Sequence, residues 1–145
     1  YRDLAAGQID AAVMQKFVKG ANDTIATMSQ PEKIHLHFAI MELEAWWLCM
    51  YTLLEKIDSQ LTVAFIAQQL GYDLSTLDAE TTFFHPVATL NKILSLVGGS
   101  YEKHFSEVAS IISKMTFEDI SEVLLAENSP RCNSFKRFCE DLMSY

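Results

Sequence analysis

The alternation of apolar and polar positions along the chain predicts several helices and one strand. Apolar residues recur at helical spacing in the opening segment and again from Pro86 onward. Between these regions the segment 33–40 alternates with a period of two, which places His35 and His37 on the face opposite its apolar residues. The segment 42–57 returns to a helical period and is apolar nearly all round, so we expect a buried helix there.

The second half of the chain has clear helix boundaries. Pro86 and Pro130 each open a predicted helix, because proline suits the first helical position. The Gly98-Gly99 pair ends the first of these helices. The pattern therefore predicts a predominantly α-helical protein with one or few β-strands. A single strand needs partners for its backbone, and the chain begins with Tyr1 rather than Met. We therefore expect the partner strands to lie outside this sequence.

Composition narrows the classes of function. Nineteen acidic against eleven basic residues give a net charge of −8, which disfavours non-specific binding to nucleic acid. The apolar run 45–54 is too short to span a bilayer, and we expect no signal peptide. Cys49, Cys132 and Cys139 form no metal-binding motif, so we interpret them as small buried thiols of a cytoplasmic protein.

Glu42 and Glu44 are the leading candidates for chemistry. They lie where the predicted strand meets the buried helix, and the carboxyl edge of an open α/β sheet is where ligands bind. Carboxylates at this position suit Mg²⁺ or Mn²⁺, which prefer oxygen ligands. Acidic residues in the first turn of a helix also offset its dipole, so a purely structural role stays open.

Other polar and aromatic groups are weaker candidates. His35 and His37 have a spacing compatible with zinc or iron, but a third ligand is missing and a polar strand face explains them as well. Trp46 and Trp47 could stack on bases, although an apolar helix more often buries such residues. Lys103 follows two glycines near a predicted helix start, where its charge favours an anionic neighbour, either a carboxylate cluster or a phosphate.

Three sequence blocks resemble a known family. They are HFAIMELEAWWL, FHPVATLNKILSLVGGSYEKH and RCNSFKRFCEDL, and the resemblance extends over about residues 33–142, most of the chain. They are similar to an uncharacterised bacterial Toprim-like family with a Glu-x-Glu-Ala-Trp block, related in outline to nucleases of the overcoming-lysogenization-defect type. Its members are often encoded beside an ABC-type ATPase in antiviral defence loci.

The resemblance implies that residues 1–57 end a Toprim-like α/β domain and that 58–145 form a helical extension. It implies a bacterial, divalent-metal-dependent nuclease, with Glu42 and Glu44 as metal ligands and Lys103 beside them in catalysis. The family's Asp-x-Asp pair is not in this sequence, so we expect this portion to be inactive alone and to meet nucleic acid only within the full-length protein. The alternative is a non-catalytic module that docks a partner ATPase or a second copy of itself.

Overall fold

The computed structural model describes residues 11–37, 42–125 and 131–144, and within these ranges the protein is predominantly helical. The chain divides into two compact units, Tyr1–Phe38 (unit 1) and Ala39–Tyr145 (unit 2). The predicted boundary lies between residues 57 and 58 instead, and the assignment of 1–57 to a Toprim-like domain stays a prediction. Among the described helices, none combines the length and the apolar character needed to cross a membrane.

Unit 1 contains one long helix and a short 3₁₀ turn. Helix α1 spans Ala11–Ile25, and Lys19 and Asp23 form an ion pair of 2.5 Å one turn apart on its surface. Pro31–Lys33 is a 3₁₀ helix, and residues 34–37 have no regular secondary structure. The strand predicted for 33–40 is therefore wrong over its described part, 33–37; the remainder lies outside the described residues.

Unit 2 is built from short helices packed around one apolar core. Helix α2 packs against α5 and α6, and α3 packs against α7. The helices are α2 Leu43–Cys49, α3 Thr52–Ile57, α4 Val63–Leu70, α5 Ala79–Thr82, α6 Pro86–Ser95, α7 Phe105–Lys114, α8 Phe117–Leu125 and α9 Asn133–Met143.

Local sequence explains several of these boundaries. The Thr62 hydroxyl accepts the N–H of Phe65 at 3.1 Å and so caps α4, which ends at Gly71 in the left-handed conformation (φ 78°). Pro86 is the first residue of α6, as predicted. The single helix predicted over 42–57 is instead broken at Met50, whose ψ of 59° is not helical.

The apolar residues of α2 and α3 lie at the centre of the core. Leu48, Leu53 and Leu54 are fully buried and pack with Leu90 and Ile93 of α6. The burial predicted for this segment is confirmed over α2, where five of seven residues are buried, whereas in α3 only Leu53 and Leu54 are buried.

The C-terminal helix is fastened to the core by polar groups. Arg131 donates hydrogen bonds to the carbonyl oxygens of Leu74, Ser75, Leu77 and Cys49 at 2.5–3.2 Å. Phe135 and Cys139 point inward from α9. All three cysteines are buried free thiols, which confirms that prediction.

Candidate functional site

The residues predicted as the site converge in unit 2 although they are far apart in sequence. Glu42 immediately precedes α2, Glu44 lies in its first turn, and Lys103 lies in the segment between α6 and α7. The Lys103 ammonium nitrogen is 3.0 Å from Glu42 Oε1 and 3.3 Å from Glu44 Oε2. One cation thus contacts both carboxylates of the Glu-x-Glu block.

Glu42 also accepts a hydrogen bond from the start of a neighbouring helix. Its second oxygen, Oε2, accepts the backbone N–H of Val87 at 3.1 Å, in the first turn of α6. A carboxylate at this position satisfies a free N–H and offsets the positive end of the helix dipole. The dipole that Glu42 offsets is therefore that of α6, rather than that of α2 as the structural alternative supposed.

Glu44 is a buried carboxylate with an uneven set of partners. Its side chain is only 4% exposed, and its Oε1 accepts the hydroxyl of Tyr101 at 2.7 Å. Its Oε2 contacts the Lys103 ammonium at ion-pair distance but has no hydrogen-bond partner among the described residues. A buried carboxylate oxygen without an aligned donor is costly, so the ion pair with Lys103 is the contact that stabilises this atom.

The backbone that presents Tyr101 and Lys103 is held in an unusual conformation. The side chain of Asn91 accepts the Tyr101 N–H and donates to the Tyr101 carbonyl, both at 2.7 Å. Lys103 itself has a φ of 60°, a left-handed conformation that costs a residue with a side chain about 1–3 kcal/mol. Contacts around the segment therefore impose this geometry and keep the ammonium facing the carboxylates.

The charges of the site shift two pKa values upward. Burial alone would lower the pKa of Lys103, but its hydrogen bond to Glu42 and the charge of Glu44 outweigh burial and raise it. Burial and the hydrogen bond to Glu44 raise the pKa of Tyr101, because an ionised phenol would face a carboxylate. At neutral pH the site thus contains an ammonium and a neutral phenol.

The donor set fits a hard divalent cation. Two carboxylate oxygens, Glu42 Oε1 and Glu44 Oε2, already face the same positively charged nitrogen. Oxygen ligands of this kind are those that Mg²⁺ and Mn²⁺ prefer. One ammonium against two carboxylates leaves a local excess of negative charge.

Other predicted candidates lie elsewhere. His35 and His37 belong to the irregular segment 34–37 of unit 1. Trp47 is buried in the core, and Trp46 packs against the rings of Phe135 and Phe138 with centroid distances of 5.0 and 5.6 Å. The tryptophans therefore have structural contacts, as the core interpretation predicted.

Sequence reasoning missed Asn91 and the role of Tyr101. Nothing in their local sequence indicates a contact with Glu44 or with each other. The Tyr-x-Lys spacing was the one available signal, since it places Tyr101 beside the predicted Lys103.

Comparison with known proteins adds no relative. No protein-family model, no curated protein and no solved structure matches the chain. The basis for a functional proposal is therefore the arrangement of Glu42, Glu44, Tyr101 and Lys103.

Proposed function

We propose that this chain supplies part of the metal centre of a Toprim-like, divalent-metal-dependent nuclease that acts in bacterial antiviral defence. The observation that carries the proposal is the convergence of Glu42 and Glu44 on Lys103, with one buried carboxylate oxygen left without a hydrogen bond. The Asp-x-Asp pair that the family resemblance implies is not in this sequence, so the remaining ligands come from the full-length protein.

Each residue has a distinct task in the proposed site. Glu42 and Glu44 would hold Mg²⁺ or Mn²⁺, which when bound activates a phosphodiester as a Lewis acid. The Tyr101 hydroxyl fixes the orientation of the Glu44 carboxylate by donating to Oε1. Lys103 is 46% exposed, so its ammonium can also contact the phosphate of a substrate at the rim of the site.

Metal binding by the chain tests the ligand assignment directly. Mn²⁺ binding is measured by calorimetry and by the electron paramagnetic resonance signal of free Mn²⁺. We expect one site in the wild type. The affinity of this site for Mn²⁺ should fall at least about tenfold in Glu42→Gln and in Glu44→Gln. Glu55→Gln is the matched control, since Glu55 is an exposed acid in the first turn of α3. Equal affinity in all four proteins would eliminate the metal role.

Activity requires a separate experiment on the full-length protein. Cleavage of DNA and RNA with Mg²⁺ or Mn²⁺ should be lost in Glu44→Gln and retained in Glu55→Gln. Cleavage at the wild-type rate in both Glu42→Gln and Glu44→Gln would show that these carboxylates take no part in hydrolysis.

A second candidate function is a docking module for a partner ATPase or for a second copy of the chain. It is favoured by large apolar side chains exposed on α7 and α8: Phe105 is 88%, Ile112 50% and Phe117 75% exposed. Sedimentation velocity tests self-association, and co-purification with an ABC-type ATPase of the kind that the family resemblance implies tests the partner. A complex that is lost in Phe105→Ser combined with Ile112→Ser supports docking, whereas equal complex formation by both proteins rules out this face.

A further inference from the structure

Two cysteines from distant parts of the sequence meet inside unit 2. Cys49 is the last residue of α2 and Cys132 immediately precedes α9, and both are buried. Cys49 Sγ lies 3.9 Å from Asp78 Oδ1, and the same oxygen accepts the backbone N–H of Cys132 at 3.0 Å. Each thiol also shifts the pKa of the other, as expected of neighbouring side chains. Asp78 therefore holds the two cysteines together.

The surroundings make the two sulfurs chemically different. A hydrogen bond from the Cys132 thiol lowers the pKa of Cys49, although burial opposes this shift. The same contact, together with burial, raises the pKa of Cys132. Cys49 is therefore the sulfur that ionises first, and the thiolate is the nucleophilic form of cysteine.

A small cavity lies beside Cys49. Its volume is about 10 Å³, room for roughly one water molecule, and it is lined by Cys49, Tyr51, Arg131 and neighbouring residues. The Arg131 guanidinium, which also lines this cavity, donates to the Cys49 carbonyl oxygen at 3.2 Å.

We propose that Cys49 and Cys132 are a redox modification site that forms a reversible intramolecular disulfide when the protein meets a hydroperoxide. The Cys49 thiolate attacks a peroxide oxygen, the O–O bond breaks, and a sulfenic acid and hydroxide form. The Cys132 sulfur then attacks the Cys49 sulfur, the S–S bond forms and the S–O bond breaks. The two thiols lose two electrons and two protons, and hydrogen peroxide becomes two waters.

The disulfide would tie the start of α9 to the end of α2. In the reduced protein this junction depends on the hydrogen bonds of Asp78 and Arg131. A covalent link between such distant positions restricts the unfolded chain, so oxidation raises the midpoint of thermal unfolding. This inference is independent of the proposed metal site.

Peptide mapping of the wild-type protein tests the proposal without any variant. The folded protein is treated with hydrogen peroxide, its remaining thiols are alkylated, and the digest is analysed by mass spectrometry. We expect a Cys49–Cys132 disulfide, an alkylated Cys139 and complete reversal by dithiothreitol. Three alkylated cysteines, a disulfide that involves Cys139, or irreversible oxidation of Cys49 without a disulfide would each overturn the proposal.

Two variants sharpen the result. Cys139→Ser retains the pair and should show the same disulfide and the same rise in thermal midpoint on oxidation. Cys132→Ser removes the partner thiol, so peroxide should leave its thermal midpoint without that rise. A rise of wild-type size in Cys132→Ser would show that another modification is responsible.

Discussion

Removal of the Tyr101 hydroxyl tests whether the buried carboxylate of Glu44 depends on it. In Tyr101→Phe, Glu44 Oε1 loses the donor that now lies at 2.7 Å, and Glu44 has only the ion pair with Lys103 on its other oxygen. Both Tyr101 and Glu44 are at most 3% exposed, so water does not readily replace the hydroxyl. A hydrogen bond to a charged group contributes about 1.5–3 kcal/mol, and we expect a loss of this size in the free energy of unfolding.

Tyr72→Phe is the matched control. The Tyr72 hydroxyl oxygen is buried and has no hydrogen-bond partner in the described part of the chain. Its removal deletes an unsatisfied polar atom, so the free energy of unfolding should change by less than about 0.5 kcal/mol or rise. The two substitutions delete the same atom and differ in what that atom contacts.

Urea unfolding monitored by tryptophan fluorescence measures the free energy of unfolding of both variants. The signal reports on unit 2, because the two tryptophans of the sequence, Trp46 and Trp47, both lie there. A double-mutant cycle with Glu44→Gln then isolates the pair, and we expect a coupling energy of at least about 1 kcal/mol. Equal losses in Tyr101→Phe and Tyr72→Phe, or a coupling energy near zero, would refute the reasoning.

Three further predictions concern stability, each checked by urea unfolding followed by circular dichroism. Burial opposes ionisation of Asp119, but hydrogen bonds outweigh it and lower the pKa of this carboxyl below 3.8. The wild type should therefore lose stability as pH falls below about 4. Asp119→Asn should be less stable than the wild type at neutral pH, and its free energy of unfolding should change less with pH. Arg131→Met leaves several carbonyl oxygens without donors and should cost at least about 3 kcal/mol, against less than about 0.5 kcal/mol for the exposed Arg137→Met. Gly71→Ala places a side chain at a φ of 78° and should cost about 1–2 kcal/mol, whereas Gly20→Ala inside α1 should gain about 0.4–1 kcal/mol.

Some helix ends were predictable from a local signal, whereas α9 begins at Asn133 and not at Pro130 as predicted. Pro86 opens α6 as expected because proline needs no N–H partner at the first helical position. Gly71 ends α4 because it adopts the left-handed conformation at little cost. The break at Met50 has no such signal, since the apolar pattern runs through it, and only the packing of α2 and α3 in the core separates them.

The strand prediction was wrong over 33–37 because alternation of apolar and polar residues does not supply hydrogen-bond partners, and Ile34 and Leu36 are themselves exposed. A strand requires a neighbouring backbone, and a single sequence does not show whether one is present. Pro31 instead begins a 3₁₀ turn that includes Lys33, and residues 34–37 continue without a ladder.

The candidate site was predictable only in its main residues. Glu42, Glu44 and Lys103 were singled out by the dipole argument, the strand-helix junction and the family resemblance, and the structure brings them together. Asn91 and Tyr101 complete the arrangement through contacts between distant segments. Such contacts depend on the packing of α2 on α6, which no local pattern in the sequence specifies.

Helix α2 connects the two proposed sites and is too short to hold its position alone. An isolated helix of fewer than about 12 residues is marginal in water, so the placement of Leu43–Cys49 depends on the groups at its ends. At its start Glu44 is bound by Tyr101 and Lys103, and at its end the Cys49 carbonyl is bound by Arg131. These contacts hold the two ends of one seven-residue helix. Loss of the contacts at one end therefore weakens the hold on the position of the other end. A disulfide at Cys49 would therefore restrict the same helix that carries the Glu44 carboxylate.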